Sequence, residues 1–194
     1  MTTDSTERRA FLRIAGLGLA GLGVAAVTSG APAFAATKGR TVKGNGGGDV
    51  AVLQGALALE HEGIAAYQIA GSSGLLTPDV LKIALVFLGH HKGHRDSLAS
   101  LISKAGGKAV EPKSDAEYIK ELDLGTLKTQ GDVVVLATRL ELGAANAYVG
   151  QIAALKDRSL ATLFAQLSTD EAVHWAILNN ALGNAVPSKT YLFG

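Results

Sequence analysis

Two stretches of this chain repeat the same arrangement of residue types, and that repeat limits the fold more than any other feature. Leu59-Glu60 is followed by Tyr67, and Leu140-Glu141 is followed by Tyr148 at the same interval. Downstream of the first pair stand His91 and His94 with Leu98, and downstream of the second stand Glu171 and His174 with Leu178. Residues three apart on a helix lie on one face, about one turn from each other. A carboxylate and an imidazole so placed can reach one metal ion. Apolar residues keep register with each polar position. Leu53, Leu57, Ile64 and Tyr67 flank Glu60; Phe87, Leu98 and Leu101 flank the two histidines; Phe164, Leu167, Leu178 and Ala181 flank Glu171 and His174. That spacing predicts amphipathic helices with the ionisable groups on the inward stripe. Such groups are expensive to bury unless they are paired or ligated. A repeat of this kind brings the polar residues of both halves to one level of a shared core.

Glycine and proline punctuation supplies the helix boundaries. Asp49 is placed to cap a first helix from about residue 50 to 70, which Gly71-Ser72-Ser73-Gly74 stops. Thr77-Pro78-Asp79 opens a second, with proline at the first helical position and an acid in the first turn, and Gly106-Gly107 ends it after Lys104. The connection that follows is too long for a simple turn between packed helices. Ser114 and Glu117 have capping-box spacing and predict one short helix within it. Thr129-Gln130-Gly131-Asp132 opens a third long helix to about Lys156, and a break at Asp157-Arg158-Ser159 leads to a fourth that ends at Gly183. No alternating strand pattern interrupts these segments. The expected fold is all-α: a four-helix bundle over residues 49–183, built as two helical hairpins joined by a long crossover between helices 2 and 3. Residues 184–194 form a C-terminal tail.

The first residues read as an address. Arg8-Arg9-Ala10-Phe11-Leu12 precedes an apolar run from Ile14 to Val27, and Ala33-Phe34-Ala35 offers a cleavage site. The run is shorter than the roughly 20 residues a spanning helix requires, so no stable membrane anchor is expected. Paired arginines in this position resemble the twin-arginine signal, which exports folded cargo and suits a protein that acquires its cofactor before export. Residues 1–35 are therefore read as signal peptide and 36–48 as a flexible leader rich in glycine and lysine. The expected location is periplasmic or secreted.

Composition narrows the chemistry. A net charge of +1 gives a nucleic-acid partner no electrostatic support. The chain has no cysteine, so disulfides, thiolate clusters and cysteine nucleophiles are excluded. Any metal must be held by histidine and carboxylate.

These motifs, with His90-His91-Lys92-Gly93-His94-Arg95-Asp96-Ser97-Leu98 and Asp170-Glu171-Ala172-Val173-His174, resemble the exported bacterial ferritin-like domain proteins, which are related to desiccation-related proteins. The resemblance implies a ferritin-like bundle with a two-metal site. In that fold two helices each give one glutamate and the other two each give a Glu-x-x-His pair. Glu60 and Glu141 match the single glutamates, Glu171 with His174 match one pair, and His94 matches the second histidine. His91 stands where a glutamate is expected. The ligand set so implied is Glu60, His91, His94, Glu141, Glu171 and His174, with Tyr67, Tyr148, His90, Glu62 and Asp170 as neighbours that could orient it. Three carboxylates do not neutralise two divalent ions. The site is therefore expected to hold its ions unequally, to be mononuclear, or to recruit Glu62, His61 or His90. Helical phase turns Glu62 away from the Glu60 stripe and puts His90 to one side of the histidine stripe. Trp175 faces away from the ligands, toward another helix or a second subunit, and a homo-oligomer is left open. Iron is the metal the resemblance favours, manganese next, with zinc also compatible. The implied activity is iron oxidation, or disposal of peroxide or oxygen in stress defence. The alternative is a non-catalytic bundle acting as a desiccation or stress scaffold.

Overall fold

The computed structural model describes residues 48–194; the expected signal peptide, and all of the expected leader but Gly48, lie outside them. Among the described residues five α-helices make up the fold: α1 Asp49–Gly71, α2 Pro78–Lys104, the short α3 Asp115–Glu121, α4 Gln130–Gln151 and α5 Arg158–Ala181. Among the described residues there is no strand, and no helix is long and apolar enough to cross a membrane. Helices α1 and α2 pack as one hairpin and α4 and α5 as the other, with α1 also meeting α4. The crossover between the hairpins carries α3 and a single 3-10 turn, Leu124–Thr126, both laid against α1.

Apolar layers enclose the polar level on two sides. Leu53, Leu57, Leu98, Ile102, Tyr148, Phe164 and Leu167 form one layer. Ile64, Tyr67, Phe87, Leu88, Val134 and Leu178 form the other. Burial of each large side chain contributes about 1.5–3 kcal/mol, so these layers supply the stability that offsets the ionisable groups between them. Small residues let the backbones close up: Ala145 is fully buried, and Ser168 Oγ donates to its carbonyl at 3.0 Å, tying α5 to α4.

The helix boundaries follow the sequence except at two places. Asp49 does not cap α1; Gly48, at φ +51°, holds that position without a side-chain bond. The Asp49 carboxylate instead accepts the Lys156 and Asp157 N–H groups at 2.9 and 3.0 Å. This long-range contact also explains why α4 ends early. The chain tightens into a 3-10 turn over Ile152–Ala154 and becomes extended at Leu155. That path presents the two N–H groups to Asp49 and leaves Asp157 to cap α5 through Ser159 N–H at 2.7 Å. The capping boxes at Ser114 with Glu117 and at Thr129 with Asp132 form as their spacing requires.

The crossover is clamped by a side-chain amide. Gln54 Nε2 donates to the Lys108 carbonyl at 2.6 Å, and its Oε1 accepts Val110 N–H at 2.8 Å. His61 donates through Nε2 to the Val110 carbonyl at 3.1 Å, which commits that histidine to the crossover. At the other end the tail folds back on the bundle. Phe193 meets Trp175 edge-on with ring centroids 5.4 Å apart, and Gly194 N–H reaches Asn146 Oδ1 at 2.8 Å. Trp175 thus faces away from the ligand stripe as expected, but the tail of its own chain covers it.

Candidate metal centre

Four helices each deliver part of the polar level. Glu60 comes from α1, His91 and His94 from α2, Glu141 from α4, and Glu171 and His174 from α5. All but His94 are almost fully buried, and the His94 side chain is 11% exposed. The donors fall into two overlapping groups: Glu60, His91, His94 and Glu171, and then His91, Glu141, Glu171 and His174. Within each group one ligand atom from every residue lies within 4.8 Å of the others. His91 and Glu171 belong to both.

The inner nitrogens converge. His94 Nδ1 lies 3.1 Å from Glu171 Oε1, and His174 Nδ1 lies 3.0 Å from Glu171 Oε2. His91 uses both ring nitrogens, Nδ1 at 2.9 Å from Glu60 Oε2 and Nε2 at 3.3 Å from Glu141 Oε1. The outer nitrogens are held as well. His94 Nε2 lies 3.1 Å from Asp170 Oδ2, and His174 Nε2 lies 2.8 Å from His90 Nδ1. An outer N–H donated to such a partner fixes the tautomer and leaves the inner lone pair free for a cation. Two tyrosines cross the pseudo-twofold: Tyr67 on α1 donates to Glu141, and Tyr148 on α4 donates to Glu60. Each half therefore orients the other half's glutamate.

Electrostatics without an ion explain what such a site wants. Burial would lower His94, but its bonds to Glu171 and Glu60 outweigh that and raise it to about 10. His91 rises well above its ordinary value: burial opposes the shift, and bonds to Glu141 and Glu60 prevail. His174 rises in the same way, through Glu141 and Glu171 against burial. Glu60 and Glu141 are pulled below the usual carboxylate range, since the histidines overcome a burial effect of opposite sign. Glu171 is raised, first by burial and further by its neighbour Glu141, with His174 and His94 only partly offsetting. Burial pushes both tyrosines up, and the adjacent glutamates add to it, so they stay neutral donors. Three imidazolium groups thus stand in the electrostatic place of a metal cation. The donor set fits a divalent ion: mixed N and O donors, imidazole nitrogens that face inward and offer lone pairs once an ion displaces their protons, and a dry surround.

The family-level comparison agrees with this geometry. A model of the ferritin-like domain matches residues 48–184, which spans every candidate ligand and both hairpins. The chain belongs to the ferritin-like domain family. Among solved structures, the ferritin-like bundle is similar to a conserved hypothetical protein, rv2844, from Mycobacterium tuberculosis, at 25% identity and a TM-score of 0.61. The match covers 73% of this chain and 94% of that one. No curated protein matches the chain.

Within this ferritin-like domain the named neighbours separate clearly. Tyr67, Tyr148, His90 and Asp170 each touch a candidate ligand. Glu62 does not: it lies half-buried in the fields of Lys113, Glu121 and Arg139, with its carboxyl raised chiefly by burial. His90 is closer to the centre than helical phase suggests, because α5 brings His174 up to it across the interface and the rings stack at 5.1 Å. Two supporting residues carry little signal in the sequence. Gly63 lies under His91, where a Cβ would come within 3.3 Å of the imidazole. Phe87 stacks on His174 at 4.1 Å and limits how that ring can turn. A glycine inside a helix costs about 1 kcal/mol relative to alanine, which is the signal that could have marked Gly63.

Proposed function

We propose that the mature chain is an exported metal-binding protein whose buried centre handles iron oxidation, or peroxide or oxygen, in stress defence. The convergence of six donors with inward-facing nitrogens is the observation that supports it. Glu60, His94, Glu141, Glu171 and His174 would hold the metal, with His91 between the two groups. Iron is the first choice, manganese the second and zinc the third. A redox-active ion would supply electron exchange with peroxide or dioxygen there. The chain's own residues orient the carboxylates through Tyr67 and Tyr148 and keep bulk water out. A groove of about 390 Å³, walled by Leu81, Leu85 and Leu88, reaches Tyr67, and its apolar wall suits a small neutral oxidant. Elemental analysis of protein folded in its own cytoplasm should find iron or manganese in stoichiometric amounts. The optical spectrum of the iron form should change on adding peroxide. Protein without metal, or with metal indifferent to oxidants, would remove the redox reading.

One observation favours a second reading, a non-catalytic scaffold for stress or desiccation. His91 stands where the ferritin-like pattern has a glutamate, and the fold by itself does not assign an activity. Export remains part of the proposal through Arg8 and Arg9. Changing both to lysine should leave an uncleaved precursor in the cytoplasm, and unchanged processing would count against the twin-arginine route.

A further inference from the structure

The two donor groups are related by the internal repeat, and they differ at the two positions where the repeat is broken. In the first half residues 90 and 91 are His-His, and in the second residues 170 and 171 are Asp-Glu. Glu171 can offer one carboxylate oxygen to each group, since Oε1 faces His94 and Oε2 faces His174. His91 cannot do the equivalent. A neutral imidazole has one lone pair and one N–H, so it can ligate an ion on one side only and must donate on the other. Its ring has little room to move, lying against the Gly63 backbone and 5.3 Å from the Tyr67 ring.

The outer partners decide which side is favoured. His94 is backed by the Asp170 carboxylate at 3.1 Å, and His174 by the uncharged-type partner His90 at 2.8 Å. A carboxylate behind a ligating imidazole raises its basicity and adds negative charge to the ion's surroundings. His94 is also nearer solvent, its side chain 11% exposed against 2% for His174, which gives an ion a shorter route in. With an ion on that side, His91 Nε2–H still donates to Glu141, which sits 3.3 Å away.

Resting on the metal reading above, we infer that the centre is built for one tightly held divalent ion. It is bound by Glu60, His94, Glu171 and His91 Nδ1 and backed by Asp170, while the Glu141–His174 side binds a second ion far more weakly. His91 is the residue that denies the second side a shared ligand, and a glutamate there would give each side a carboxylate oxygen and leave only the difference between Asp170 and His90.

Cobalt(II) titration of metal-free full-length protein tests this, read by equilibrium dialysis with elemental analysis and by the ligand-field spectrum. Wild type should take up one tight ion per chain, with any second at least about tenfold weaker. His91→Glu should take up two ions, the second bound much more tightly than in wild type. Asp170→Asn should weaken the tight ion by about tenfold or more, and His90→Ala should leave it unchanged. Two equivalent ions in wild type would overturn the inference and leave the metal reading standing. So would a folded His91→Glu variant that still binds one, or a tight ion that responds to His90→Ala and ignores Asp170→Asn. No cobalt in wild type would overturn the metal reading and this inference with it. Should His91→Glu fail to fold by circular dichroism, the wild-type stoichiometry and the Asp170 and His90 variants still decide.

Discussion

Replacing Glu171 with glutamine should strip metal from both donor groups at once and lower metal content by more than about tenfold, the largest single loss among the ligands. Glu171 is fully buried and is the one carboxylate belonging to both groups. Its Oε1 lies 3.1 Å from His94 Nδ1 and 3.6 Å from His91 Nδ1, while Oε2 lies 3.0 Å from His174 Nδ1. Three histidines therefore lose their common partner in one step. Glu60→Ala and Glu141→Ala should each lower metal content less, since each belongs to one group, and Glu62→Ala should leave it unchanged. The alanine variant at 171 would also leave buried imidazoles unpaired, at a cost on the order of 3–5 kcal/mol. Glutamine keeps the shape and isolates the charge. Metals per chain, measured beside circular dichroism, decide the matter. A folded Glu171→Gln variant with full metal would rule out a shared site.

Metal-free protein should be most stable between about pH 4.5 and 6.5, and the stabilisation gained from metal should grow steeply above that range. The folded values of His91, His94 and His174 lie above the ordinary 6.5, so their contribution is complete below 6.5. It is lost as pH rises through the folded values, which for His94 is about 10. Glu60 and Glu141 lie below the ordinary 4.5, so theirs is complete above 4.5 and lost as pH falls. Glu171 is raised and works the other way: its contribution is complete below 4.5 and is lost as pH rises through its folded value. An incoming ion must displace the protons of the imidazoles it ligates. With two histidines in a group, apparent affinity should rise about a hundredfold per pH unit near neutrality. Thermal melts of chelated and loaded protein across pH 5 to 9 would show this as a widening gap. A gap that stays constant with pH would mean that the histidines do not carry those protons.

The bundle could be read from the chain because its signals are local. Capping boxes at Ser114 and Thr129, proline at residue 78 and glycines at 106 and 183 act within a turn or two, and the helices follow them. The ligand stripe could be read for a similar reason: helical spacing puts Glu171 with His174 and His91 with His94 whatever packs against them. Asp49 shows where local reasoning ends. A carboxylate at a helix start satisfies the capping rule, yet its two oxygens went to Lys156 and Asp157 more than 100 residues away. His90 is the same lesson at the site, since its partner is on another helix.

Repeat, helical period and residue type together determined four long helices and a single polar level, and the family resemblance named its six candidate ligands. Those properties depend on positions within one helix and on the correspondence between two halves of the chain. Which nitrogen faces inward, which tyrosine holds which glutamate, and that Asp170 backs His94 while His90 backs His174 were decided only when the hairpins packed. Each of those pairings joins side chains from different helices, and their distances depend on how the helices cross and rotate. A linear pattern carries no record of that.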